Sequence, residues 1–105
     1  MITISTIEGH FFFRPEDIVR LEACDNYTRV FLANQKKILA SKVLKEFAQK
    51  LEPMGFLRTH RSHLVNTRYI THIDPCGTIT MADTSTAEIS RSKRREVIAA
   101  MRTSI

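Results

Sequence analysis

The sequence predicts a mainly β protein, an elongated stack of small antiparallel β-sheets with one or two short helices at about residues 41–51 and 91–101. Three observations predict it. Short runs rich in β-branched and aromatic residues, several of them alternating, recur along almost the whole chain. Turn-forming residues separate the runs: Gly9, Pro15, Asp25 with Asn26, Asn34, Pro53, Gly55, Pro75 and Gly77. Apolar residues at helical spacing occur in only two stretches. Strands this short enclose little by themselves, so they are expected to meander into small sheets packed on one another.

In chain order, strands are expected over residues 2–7, 10–13, 19–23, 27–33, 36–40, 55–60, 63–66, 69–73, 78–82 and 86–90. Between the fifth and sixth, SKVLKEFAQKLEP spaces Leu44, Phe47, Ala48 and Leu51 on one helical face, with Ser41 as the expected N-cap and Pro53 as the stop. The second helix is expected in SRSKRREVIAAM, where Val97, Ile98 and Met101 share one side and Ser90 or Ser92 caps the start. Neither an internal repeat nor a linker interrupts this order, and 105 residues suit a single domain over 1–105.

Composition narrows the function. With 43% hydrophobic and 26% charged residues the chain is of globular type. It has no apolar run of about 18 residues and no signal-peptide pattern at its start, so a cytoplasmic location without membrane contact is expected. Cys24 and Cys76 are too few for a disulfide framework and form no CxxC pair. His60 and His63 form an HxxH whose sequence neighbourhood offers no further ligand, and no family signature pairs a cysteine with a histidine for catalysis. No enzyme activity and no cofactor are expected.

The net charge of +5 is segregated. Residues 1–25 carry Arg14 and Arg20 against Glu8, Glu16, Asp17, Glu22 and Asp25, a net of −3, whereas the remaining 14 basic and six acidic side chains give +8. Such segregation suits a polyanionic partner. Cations also crowd the two helix starts, where the macrodipole disfavours them: Lys42 at one, and Arg91, Lys93, Arg94 and Arg95 at the other. A phosphate at each start would resolve the conflict.

Residues 58–66, RTHRSHLVN, repeat the theme, with no carboxylate among them in sequence. If strands flank the turn, Arg61 projects from a surface connection and can offer two donors to guanine O6 and N7, while His60 and Ser62 can position phosphates. Residues 25–29, DNYTR, make a third polar turn bearing Tyr27, Thr28 and Arg29. A single-stranded nucleic acid or RNA-binding β module is the alternative, but Phe11, Phe12, Phe13, Phe31, Phe47 and Phe56 all fall where a core is expected to take them, leaving mainly Tyr27 and Tyr69 for base stacking.

The ordered blocks DIVRLEACDNYTRVFL, KKILASKVLKEFAQKL, GFLRTHRSHLVNTRYI and ITMADTSTAEISRSKRREV resemble the LytTR DNA-binding domain, the output module of bacterial LytR/AlgR-type response regulators. The likeness runs from about residue 2 to 101; its most specific parts are Glu22 with NYT after it, the FxRxHRSxLVN block from Phe56 to Asn66, and Ile89-Ser90-Arg91. It implies a transcriptional regulator that inserts loop side chains into successive major grooves. The base-reading positions of the family fall on Thr28, Arg61 and Arg91, and its phosphate contacts on Asn26, Tyr27, Arg29, Ser41, Lys42, Lys45, Ser62, Ser92 and Arg94. His60 and Lys93 join the phosphate set from the reading of the turn and the helix start. The resemblance further implies paired direct repeats in duplex DNA, a homodimer on DNA with weak or no dimerisation off it, and an N-terminal receiver domain outside this chain, or else a stand-alone regulator.

Overall fold

The computed structural model describes residues 1–102; positions 103–105, the end of the expected domain, lie outside them. Its ten strands are β1 (Ile2–Thr6), β2 (Gly9–Phe13), β3 (Ile18–Cys24), β4 (Tyr27–Leu32), β5 (Lys37–Ala40), β6 (Phe56–His60), β7 (His63–Asn66), β8 (Ile70–Ile73), β9 (Thr78–Met81) and β10 (Thr86–Glu88). Two helices complete it, α1 (Leu44–Leu51) and α2 (Arg94–Met101). Each expected strand is present to within two residues at either end.

The strands form three antiparallel sheets: the β1–β2 hairpin, a central sheet in the order β5-β4-β3-β7-β6, and a small sheet in the order β10-β9-β8. The central sheet is buried on both faces. On one, Ile18, Leu21, Val30, Leu32 and Leu64 pack with Ile2 and Ile4 of the hairpin and with Leu44, Phe47, Ala48 and Leu51 of α1. On the other, Val19, Phe31 and Val65 pack against Ile79, Met81, Ala87, Ile89 and Val97. Successive strand residues face opposite ways, so neighbours such as Leu64 and Val65 serve different cores. Three layers result, with overall extents of 40 × 25 × 24 Å, elongated along one axis.

The first helix buries the expected residues but begins later than Ser41. Val43 occupies the N-cap position without a side-chain hydrogen bond, because the Ser41 N–H instead donates to Ser5 O at 2.8 Å and ties the end of β5 to the hairpin. Pro53 lies within a 3-10 turn that continues α1, and the stop is Gly55, whose φ of 96° is available to glycine at low cost. Before α2, residues Arg91–Lys93 form a 3-10 turn.

Two aromatic assignments are corrected. Phe12 is 60% exposed and Phe11 37% exposed, so neither is a core residue. Phe11 and Phe13 stand opposite Ile4 and Ile2, whereas Phe12 stands opposite the exposed Thr3 and is turned to the outer side. With Ile7, Phe13, Tyr27, Ile38 and Leu39, Phe11 lines an apolar groove between the hairpin and β4–β5.

Candidate nucleic-acid interface

The antiparallel order brings separate turns to one edge of the central sheet. β3 ends at Cys24 and β4 begins at Tyr27; β6 ends at His60 and β7 begins at His63; β5 ends at Ala40, opposite Thr28. The Ala23 N–H donates to Ser62 O at 2.9 Å, joining the β3–β4 and β6–β7 ends, and the Ser90 N–H donates to Thr59 O at 2.8 Å, adding the approach to α2. The resulting row runs from Ser41 and Lys42, through Asn26 and Tyr27, to Arg61 and Ser62, and on to Arg91 and Ser92. At about 4.8 Å between neighbouring strands, the five-stranded part of this row is roughly 20 Å wide.

Along this row Arg61, Arg91, Lys42, Lys45, Ser41, Asn26, Tyr27 and Ser92 are exposed. Among the described residues, the guanidinium groups of Arg61 and Arg91 have no hydrogen-bond or ion-pair partner. Ser62 and His60 are half-buried; the Nδ1 of His60 accepts from the Ser62 N–H at 3.0 Å, which folds the imidazole back over its own turn.

Four of the expected contacts are placed differently. Thr28 is fully buried, and its hydroxyl donates to Lys42 O at 2.7 Å. It shares a strand face with Val30 and Leu32, the face toward α1, and supports the Lys42 loop from within. Arg29 lies on the opposite face and donates to Glu22 at 3.3 Å and to the Cys24 sulfur at 3.6 Å. Lys93 donates to Arg58 O at 3.0 Å. Arg94 donates to Cys76 O at 2.6 Å in the β8–β9 turn, and its guanidinium lies so close over Gly77 that a Cβ there would meet Nε at 2.7 Å. Arg29, Lys93 and Arg94, expected at phosphates, thus each have a protein partner in the free domain.

The cations around residues 58–66 are not without a carboxylate. Glu22 on β3 stands opposite His63 and Arg29 and accepts from Arg20 at 3.0 Å and from Arg29 at 3.3 Å. Arg20, only 5% exposed, also donates to the Ser85 hydroxyl at 2.9 Å and stacks 3.7 Å from the Phe31 ring centroid. A buried guanidinium needs partners of this kind. His63 Nδ1 lies 3.9 Å from Glu22, beyond hydrogen-bond reach. Burial, the largest influence, holds the His63 pKa below its ordinary 6.5, against the opposing pull of Glu22 and with the help of Arg20 and His60. The sequence reading missed Glu22 as a neutraliser, Arg20 as a buried ion and Arg58 as a donor to the turn. The strand alternation placing Glu22 beside Arg29 was the available signal.

The sequence pattern of the LytTR DNA-binding domain matches residues 8–102. The chain belongs to the LytTR DNA-binding domain family. A solved structure from Bacillus cereus, described as the LytTR DNA-binding domain of a methyl-accepting/DNA response regulator, superposes on this LytTR domain with a TM-score of 0.81. The two are 25% identical, and the match covers 96% of this chain and 95% of that one. A search of curated proteins found no match. The three sheets and two helices of this LytTR domain are thus those of a DNA-binding module, with DNA as its partner. No helix among its described residues is long and apolar enough to cross a membrane.

Proposed function

We propose that this LytTR domain reads duplex DNA with the strand-end row. Arg61 and Arg91 reach base edges in the major groove, and Asn26, Tyr27, Ser41, Lys42, Lys45, His60, Ser62 and Ser92 engage phosphates. A row of roughly 20 Å suits this division, since the major groove is about 12 Å wide and a wider row meets the phosphate ridges beside it. The observation that carries the reading is the contrast among cations. Arg20, Arg29, Arg58, Lys93 and Arg94 are held by protein partners, while Arg61 and Arg91 are exposed. Groups left free on one edge are those able to neutralise a polyanion.

In this reading the domain regulates transcription in the bacterial cytoplasm as the output module of a response regulator, joined to a receiver domain. It binds paired direct repeats as two copies that associate weakly or not at all off DNA. One short site discriminates poorly among genomic competitors, and a second copy multiplies the selectivity.

A second reading has its own support. The exposed Phe11 and Phe12 offer stacking surface for single-stranded bases, and the Phe11 groove reaches Tyr27 and Ser41 on the same edge. Selection of bound sites from a random duplex pool beside a matched single-stranded pool decides between them. Enrichment of a spaced, repeated duplex motif supports the first reading. Enrichment confined to single strands, lost in Phe12→Ala, supports the second.

A further inference from the structure

We propose that Arg58 is a positioning residue for base reading, setting the direction of Arg61 and its spacing from Arg91; this rests on the reading of Arg61 as a base contact. Two-residue hairpin turns that match strand twist have positive φ at the first or at both central positions. Among the described residues the non-glycine positive-φ positions are Asp25, Gln35 and Thr84, so neither Arg61 nor Ser62 adopts that geometry. The β6–β7 turn is therefore not one that strand twist stabilises by itself. Its register also shifts between Arg58 and His60, a bulge at Thr59 of the kind that re-aims neighbouring side chains.

Arg58 supplies the missing hold. Its Nε donates to His60 O at 3.3 Å and its Nη2 to Arg61 O at 2.8 Å, so one planar group grips consecutive carbonyls of the turn. Its own carbonyl accepts from Lys93 Nζ at 3.0 Å. The bulged Thr59 accepts from the Ser90 N–H at 2.8 Å through its carbonyl and donates its hydroxyl to Glu88 O at 2.8 Å. A continuous set of bonds thus runs from the backbone of Arg61 through Arg58 to the residues on either side of Arg91. Arg58, His60, Arg61, Ser90 and Lys93 line one shallow depression.

The test compares base preference, salt dependence and melting temperature for Arg58→Gln, Arg58→Lys, Arg61→Ala and the double variant Arg58→Gln/Arg61→Ala, all on the selected duplex and its single-base variants. Arg58→Gln is expected to lower discrimination at the base that Arg61 reads by about tenfold, with the salt slope unchanged because no phosphate contact is lost. Arg58→Lys is expected to fail to restore it, since an ammonium does not reproduce the planar fork. The double variant is expected to discriminate no worse than Arg61→Ala, because positioning has no effect once the positioned group is gone. Equal weakening on every duplex with a shallower salt slope would make Arg58 a phosphate contact and overturn the proposal. Multiplied losses in the double variant would make it an independent reader, with the same result. If Arg61→Ala alone leaves preference intact, it is the reading of Arg61 that fails. Should Arg58→Gln melt early, Lys93→Gln, which frees the Arg58 carbonyl only, is expected to blur the required spacing between the bases read by Arg61 and Arg91. Unchanged spacing preference there counts against the proposal.

Discussion

The β3–β4 and β6–β7 turns leave the same edge of one sheet, each through a two-residue connection, and each has an arginine in the turn or within three residues of it. In the β6–β7 turn the arginine is a central turn residue, Arg61, and it is exposed. In the β3–β4 turn the central residues are Asp25, with a φ of 56°, and Asn26, and the arginine follows inside β4, where Glu22 stands opposite it. The same residue type four positions further along faces a neighbouring strand instead of solvent. On the proposed reading, a turn acts as a base reader only where its cation occupies the turn itself, and the flanking positions belong to the sheet.

Arg61→Ala gives the largest expected effect and bears on this contrast directly. Loss of about 1–3 kcal/mol on the preferred duplex is expected, with preference flattened at one base; titration against single-base variants checks it. Thr28→Val probes the opposite turn. A loss of about 1–2 kcal/mol in folding stability is expected from the stranded Lys42 carbonyl, measured by chemical denaturation, with base preference unaltered. Altered preference at a base would return Thr28 to the reading set.

A smaller effect separates free cations from held ones. Lys42→Ala should weaken every sequence alike and reduce the magnitude of the logarithmic salt slope by roughly 0.9. Lys93→Ala and Arg94→Ala should leave that slope where it was, since both side chains donate to backbone carbonyls. Affinities over a series of salt concentrations decide the matter. The smallest effect concerns His63, whose pKa is lowered by burial. The unfolded chain then binds more protons than the folded one below about 6.5, so stability is full above that pH and declines as pH falls toward the folded value. His63→Gln should flatten that part of the stability profile; an unchanged profile would show that another group titrates there.

The strands were legible because alternation and breakers are local, and so was the buried face of α1. What eluded the sequence depends on which face a strand turns inward and on partners far along the chain. Thr28 reads as a turn residue until its register with Val30 and Leu32 is known. Lys93 and Arg94 read as free cations because their acceptors, Arg58 O and Cys76 O, are 35 and 18 residues away. Phe12 could have been recognised, since three consecutive phenylalanines in a strand cannot all face one core. The edge bearing Arg61 and Arg91 was legible as a charge pattern, but its assembly into one row follows from the strand order.

Backbone amide chemical shifts followed by NMR during titration with a selected duplex test the central claim most directly. Perturbations concentrated at residues 26–27, 41–42, 60–62 and 90–92, with the β8–β9 turn at 74–77 unmoved, are the predicted result. The largest shifts at 74–77, or along the outer face of the β1–β2 hairpin, would contradict it.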